Sequence, residues 1–401
     1  DEENFIQPLI DRWLSSLKIR ASYGSLGNNS VGNYEAQSLF SQSNYCWGDE
    51  VAVGMAQTAL ANALLTWEST YVANAGIDFG VLKNHLTGSF DIFYKKTKDI
   101  LIDLPAPLVH GTSSLPKQNA AAVTNKGFEL SLGWRGKSGD FNYGIEGNLT
   151  YNKNNVVKFK GEDYSLSGVN YIKEGLPINA QYMLRVDRII QTDEDLAIVN
   201  EMLAKKPNAF AAYGVPQKGD LLYKDINGDG LINSNDRTIV SDGDNPKWLY
   251  GFSPSIAYKG IDLSALIQGV AGVKVYWQHA QYNTPTVRYG YQLNREVVEG
   301  RWYEGRTDAC YPRLLEYSDT RNTVASDFYL EDKSYLKIRN IQLGYTLPQS
   351  IVKRMFLQRF RIYGSLENFF TFTPYGGWDP EVSGMDYPSM KQAVIGINLS
   401  F

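Results

Sequence analysis

Asp225, Asn227, Asp229, Asn233 and Asp236 occupy positions 1, 3, 5, 9 and 12 of one short stretch, with Gly230 at position 6. This spacing wraps hard oxygen donors round a calcium ion. Side-chain oxygens alternate along the loop, the backbone carbonyl of Leu231 supplies position 7, and the glycine permits the sharp turn. Position 12 is Asp where the usual template has Glu, so its bidentate reach is shorter and its affinity lower. The stretch is expected to hold Ca²⁺ as a structural ion that pins a long loop, because no catalytic base stands beside it. An Asn/Gly/Asp-rich turn that binds no metal would have the same composition.

Little else in the chain suggests reaction chemistry. There are three His and two Cys. His85 lies by a short turn, while His110 and His279 fall in loops. No Gly-x-Ser-x-Gly, HExxH, phosphate-binding or dinucleotide fingerprint occurs, so the chain reads as no enzyme. Cys46 and Cys310 both fall in loops, and the sequence fixes no distance between them. Six loop rings are candidate cargo contacts: Trp47, Trp277, Tyr289, Trp302, Tyr375 and Trp378. Flat rings beside Arg, Asn and Gln suit sugar stacking or peptide capture. The same rings also suit an interfacial belt or loop-on-loop packing.

The elements that must carry these loops show in the alternation. Phe128, Leu130, Leu132 and Trp134 share one face, with Glu129, Ser131 and Arg135 on the other. After a polar turn, Phe141, Tyr143, Ile145, Leu149 and Tyr151 alternate with Asn142, Glu146, Asn148, Thr150 and Asn152. This is an antiparallel hairpin with one apolar and one polar face. About ten such strands of roughly 9–11 residues follow, the length a tilted membrane strand requires. They lie near 17–26, 70–82, 85–97, 126–136, 140–152, 247–259, 261–271, 335–347, 358–371 and 391–401. Short connections after Leu82, Gly136, Lys259 and Leu347 alternate with long ones after Leu26, Thr97, Asn152, Ala271 and Phe372. Short turns on one side and long loops on the other are the plan of an outer-membrane barrel.

Composition agrees. The 27 Tyr, 17 Phe, 8 Trp and 36 Gly accompany a mean hydropathy of −0.32, which hides apolarity in alternation and leaves no helical span. A net charge of −4 leaves no footprint for nucleic acid. Lys18, Arg20, Asp78, Asp91, Glu129, Arg135, Glu146, Asp262, Lys337, Arg361 and Glu367 oppose the apolar runs, which calls for a wide wet lumen. The final strand, Gln392 to Phe401, keeps Ala393, Ile395, Ile397, Leu399 and Phe401 on one face and ends on an aromatic. One strand breaks parity: Leu336 and Ile338 share a face, but Ile341, Leu343 and Tyr345 take the other, predicting a bulge near Arg339-Asn340 or a strand leaving the lipid band. Within the loop of residues 153–246, the run Thr192 to Lys206 predicts a short capped helix that Pro207 stops. The start, DEENFIQPLIDRW, is no signal peptide, so an exported barrel implies a segment upstream.

Several stretches in order resemble the carboxy-terminal half of the SusC/RagA-type TonB-dependent transporters of Bacteroidetes. They are Leu17-Lys-Ile-Arg-Ala-Ser-Tyr-Gly-Ser-Leu-Gly27, Asn125-Lys-Gly-Phe-Glu-Leu130, Gly219-Asp220 through the calcium-like loop to Thr238, Tyr311-Pro-Arg-Leu314 and the terminal Phe401. The longest is Ser334-Tyr-Leu-Lys-Ile-Arg-Asn-Ile-Gln-Leu-Gly-Tyr-Thr-Leu-Pro348. The resemblance implies an all-β fold, an antiparallel transmembrane β-barrel segment supplying about ten strands of the family's 22-stranded wall. It implies import of oligosaccharides, or else oligopeptides, across the Gram-negative outer membrane. It also implies a SusD-like surface lipoprotein, energy from TonB–ExbB–ExbD through a plug, and the remaining strands of the same barrel. Plug, TonB box and first twelve strands are not matched in this chain, which reads as part of a longer protein or one of two fragments. The competing reading is a self-contained ten-strand barrel with a loop-borne hydrolase or adhesin, which requires strand 17–26 to pair with 391–401.

Overall fold

The two-residue periodicity becomes one antiparallel sheet of ten strands, each hydrogen-bonded to the next in chain order. These wall strands are β1 (Leu14–Asn28), β2 (Glu68–Val81), β3 (Leu86–Ile102), β4 (Gln118–Ser138), β5 (Phe141–Phe159), β6 (Trp248–Tyr258), β7 (Ile261–Ala271), β8 (Tyr335–Thr346), β9 (Arg359–Phe372) and β10 (Gln392–Ser400). The computed structural model describes residues 13–29, 31, 37–59, 62–102, 117–160, 164–279, 282–288 and 290–401. All ten expected strands are present. The middle ones are longer than expected: β3, β4 and β5 run to 17, 21 and 19 residues.

Register carries the apolar face across the sheet without a break. One rung joins Ile19, Ile77, Phe90, Leu130, Leu149, Tyr250, Gly269, Leu336 and Phe372. Another joins Tyr143, Ile256, Leu263, Leu343, Gly364 and Ile395. Many of these side chains are exposed, Ile19 to 71% and Ile395 to 86%. A patch of this extent is foreign to a water-facing surface and suits hydrocarbon.

The expected bulge is present. The ladder slips between Leu266 and Ile267 on β7 and between Ile338 and Asn340 on β8, so Arg339 is the extra residue. Two features differ from expectation. The connection after Leu347 holds a helical turn, Gln349–Val352, and a 3-10 turn, Lys353–Met355, rather than a tight reversal. The inner face is not uniformly wet: Lys337 is 1% exposed.

At the long-loop end, a hairpin (Leu39–Trp47 with Glu50–Ala59) follows β1. The long connection after β5 holds a four-stranded sheet and helix α1 (Asp193–Lys205). Thr192 caps that helix as expected, its hydroxyl accepting from the Asp195 N–H while the Asp195 carboxylate accepts from the Thr192 N–H. Leu184, Ile190, Val199, Phe210, Leu221, Leu222, Tyr223 and Ile232 form its core, joined by Val324 and Phe328 from the later loop.

Candidate functional site

Three groups of residues can bind something: the inner face of the wall, the loop of residues 225–236, and the rings above the wall. On the inner face, the charges left by alternation pair across strands. The Arg20 guanidinium on β1 donates to Asp78 on β2 at 2.8 Å and to Asp91 on β3 at 2.9 Å. Glycine makes the span possible: a Cβ at Gly76 would collide with the Asp91 carboxylate. The same device recurs where Arg361 on β9 donates to Asp262 on β7 at 3.0 Å, past Gly344 of β8. The inner wall is therefore polar and cross-linked.

The deepest inner charge anchors a loop. The Lys337 ammonium donates to Glu381 at 2.6 Å, to both Asp379 oxygens at 3.3 Å and to the Ser389 hydroxyl at 3.3 Å. Arg339 also pairs with Glu381, and the Tyr335 hydroxyl donates to it at 2.7 Å. Burial alone would raise the Asp379 carboxyl. Hydrogen bonds from the Ser389 hydroxyl and from the N–H groups of Glu381 and Ser389, with Lys337 adjacent, bring it down to about 2. Sequence reading placed Lys337 on the polar face but found neither partner, because Asp379 and Glu381 lie in an irregular segment without periodicity. Asp220 was missed as well. Fully buried, it accepts from Arg313 at 2.7 Å, Asn322 at 3.1 Å and Arg321 at 3.4 Å, tying the insert to the later loop. The signal was present in two stretches, Gly219-Asp220 and Tyr311-Pro-Arg313, read there only as likeness.

In the loop 225–236, side-chain oxygens accept from the loop's own backbone. Asp225 takes the N–H groups of Gly228 and Gly230, both at 2.7 Å. Asn227 takes that of Asp229 at 2.8 Å, Asp229 that of Leu231 at 2.7 Å, and Asn233 that of Asn235 at 2.7 Å. Asp236 is fully buried and closes the loop, accepting from Ile226 at 3.0 Å and Asn233 at 2.9 Å. Gly228 and Gly230 adopt φ of 74° and 73°, left-handed turns that glycine makes without strain, and Gly230 is the glycine of position 6. Among the described residues, no three acidic, His or Cys side chains gather at one point.

The rings separate into two sets. Trp277 and Tyr375 are 7% and 6% exposed and pack together with centroids 5.3 Å apart. Trp302 is 9% exposed and lies over Gly219, where a Cβ would strike its ring. These three faces are spent on packing. Trp47 and Trp378 are exposed, the latter meeting Tyr282 edge-on at 5.8 Å. Tyr289 and His110 lie outside the described residues. Cys46 and Cys310 are free and exposed.

Residues 9–199 match the family described as TonB dependent receptor-like, beta-barrel. A TonB-dependent receptor of Formosa agariphila is 30% identical over the whole chain, which covers 41% of that relative. The TonB-dependent receptor SusC of Bacteroides thetaiotaomicron is 26% identical, again over the whole chain, with 39% of the relative covered. The chain thus spans about two fifths of the curated relatives it matches. Among solved structures, the RagAB peptide transporter superposes with a TM-score of 0.77 at 28% identity, over 99% of this chain and 42% of that one.

Proposed function

We propose, from the premise that this chain belongs to the SusC/RagA-type TonB-dependent receptors, that its ten strands form the carboxy-terminal wall of an outer-membrane importer of oligomeric nutrients. One observation carries the reading. A single continuous sheet presents hydrocarbon-facing rungs outside and cross-strand ion pairs inside, and β1 and β10 stand at opposite edges. Two free edges in lipid are untenable, so the remaining strands of the same barrel are expected to pair with them. The self-contained reading required β1 to pair with β10; among the described residues β1 pairs with β2 and β10 with β9.

The cargo is an oligosaccharide, with oligopeptide as the second class, and exposed Trp378 and Trp47 are the rings accessible to it. A SusD-like lipoprotein would cover the long-loop side, and TonB–ExbB–ExbD would act through the plug. The test is deletion of the full-length gene in its own host, followed by growth and labelled uptake on oligosaccharides and on peptides. Loss of one nutrient class, restored by the gene, is the expected result. Unchanged uptake of both classes, or hydrolysis of cargo by the purified receptor, would overturn the proposal.

The same reading gives Ca²⁺ a structural place in the loop, held by Asp225, Asn227, Asp229, Leu231, Asn233 and Asp236. Oxygen donors at template spacing and the two left-handed glycines support it. The ion would take the oxygen lone pairs that the N–H groups leave free. Calcium is expected to protect residues 215–245 of the full-length receptor from protease, and Asp225→Ala with Asp229→Ala to abolish that protection. Equal cleavage with calcium and with chelator would exclude the ion.

A further inference from the structure

The outer face of the wall carries a charged patch that the transport reading does not use. Toward the long-loop end, the apolar rungs finish in an aromatic row. Phe128 and Tyr151 have ring centroids 5.9 Å apart, and Tyr151 and Trp248 4.6 Å. Such rows mark the depth where hydrocarbon gives way to headgroups. One same-face step beyond, Tyr94 stands opposite Lys126, and Lys126 opposite Lys153. On the next step Lys96 lies between Tyr71 and Thr124. The ladder then slips between Thr97 and Ile100 and between Ala122 and Val123. The slips keep the period: Lys98 shares the face of Tyr71, Lys158 stands opposite Ala122, and the Lys160 N–H bonds the Ala120 carbonyl.

Six lysines on three neighbouring strands therefore point outward. The other side of the same segments is committed to a core of Ala121, Val123, Val156, Phe159 and Ile172, which fixes that orientation. Between the lysines the small side chains of Ala120 and Ala122 floor a cleft of about 540 Å³, lined by Lys96, Lys98, Lys158 and Lys160. Asp99 and Glu174 also line it, but one Glu174 oxygen is taken by the Phe159 N–H at 2.6 Å. Among the described residues, no carboxylate forms an ion pair with any of the six. Lys98 instead lies 4.9 Å over the Tyr71 ring, which leaves its charge unneutralised. Like charges directly opposed across a strand pair, as Lys126 and Lys153 are, destabilise a sheet unless an anion sits between them.

We infer that this patch binds the phosphate-bearing headgroup of an anionic glycolipid in the leaflet surrounding the barrel. Lysine is a good point-charge partner for phosphate, and basic clefts at headgroup depth hold anionic lipids. The cleft opens sideways at the edge of the hydrocarbon band, where a lipid with its chains against Phe90, Ile92 and Phe128 places its head. Soluble cargo has no such reason to bind there. The inference rests on the outer-membrane reading above.

The test uses the full-length receptor extracted from outer membranes in mild detergent, with retained lipid counted by native mass spectrometry. Lipid A and its dephosphorylated form are offered in turn. Wild type is expected to retain lipid A at least tenfold more than the dephosphorylated form, with retention falling as salt rises from about 50 to 500 mM. Lys96→Gln, Lys98→Gln, Lys158→Gln and Lys160→Gln combined should abolish the preference, whereas Lys137→Gln, at the short-turn end, should leave it intact. Heat-modifiable migration establishes that each variant is folded, and the salt series on wild type stands even if the quadruple variant is not. Equal retention of the two lipids by wild type overturns the inference while leaving the transport reading intact. A receptor absent from the outer-membrane fraction overturns both.

Discussion

Replacing Lys337 by Met should release the segment between β9 and β10. Lys337 is 1% exposed, and its ammonium touches two carboxylates and a hydroxyl. Removing one partner of a buried ion pair costs about 3–5 kcal/mol, because the other charge is left without compensation. Arg339 still reaches Glu381, so the lower end applies and Asp379 bears most of the loss. At about 1.4 kcal/mol per factor of ten, about 3 kcal/mol makes opening of residues 373–391 on the order of 100-fold more frequent. Hydrogen exchange followed by mass spectrometry on the full-length receptor reads this directly, in peptides covering 373–391 against peptides from β4 as reference. Adding Asp379→Asn should recover part of the loss, since the orphaned charge is then gone. Unchanged exchange in Lys337→Met would refute the anchor.

Three further outcomes follow from the same geometry. Leu132→Arg, on the outer face, should cost about 2–4 kcal/mol in refolding into bilayers, and Ser131→Arg much less; equal costs would remove the face assignment. Gly344→Ala drives a Cβ into the Arg361 guanidinium and should destabilise by about 1–3 kcal/mol, whereas Gly364→Ala, whose nearest neighbour is the Val394 carbonyl at 3.8 Å, should be neutral in the same refolding assay. Asp379 is depressed to about 2, so its contribution is complete above the ordinary carboxylate value near 4 and is lost as pH falls through about 2. Pepsin should therefore spare residues 373–391 at pH 4 and cut them near pH 2; cleavage already present at pH 4 would contradict the depressed value.

The wall was legible because its period is two and its faces differ in solvent. Every strand from β1 to β10 announced itself by that contrast, and the register then follows from keeping the apolar set on one side. Helix α1 was legible from its acidic start, spaced apolar residues and basic end, and the structure adds the cap that Thr192 and Asp195 form. Strand ends were less so. β3, β4 and β5 continue past the lipid band, where Ala121, Val123, Val156 and Phe159 face protein instead, and alternation no longer distinguishes membrane from core. The loops were legible only as chemistry. Template spacing found the residues of the 225–236 turn, but spacing cannot say that Asp236 would be buried and bonded to Ile226. Ring type found Trp277 and Tyr375 without revealing that they cover one another.

The parity break in β8 joins these levels. In an unbroken strand, inward positions recur every second residue, so Lys337 and Arg339 would share the inner face only if Ile341 did too. The extra residue removes that conflict: Leu336 and Ile338 remain outside, Ile341 and Leu343 return outside, and both cations stay inside. Asn368 on β9, with φ of 57°, answers the bulge and accepts from Arg339 at 3.1 Å. Lys337 and Arg339 can then close on Glu381 together. What looked in the sequence like a flaw in a membrane strand is the device that aims two charges at one loop, as bulges elsewhere re-aim a side chain. Deleting Arg339 should accordingly do more than truncating it. Arg339→Ala removes one ion pair and keeps the bulge, whereas the deletion also takes out the extra residue and restores strict alternation, with Leu336, Ile338, Ile341 and Leu343 still outside. The barrel should therefore assemble in both, and only the deletion should change hydrogen exchange in the β8–β9 ladder beside Asn368.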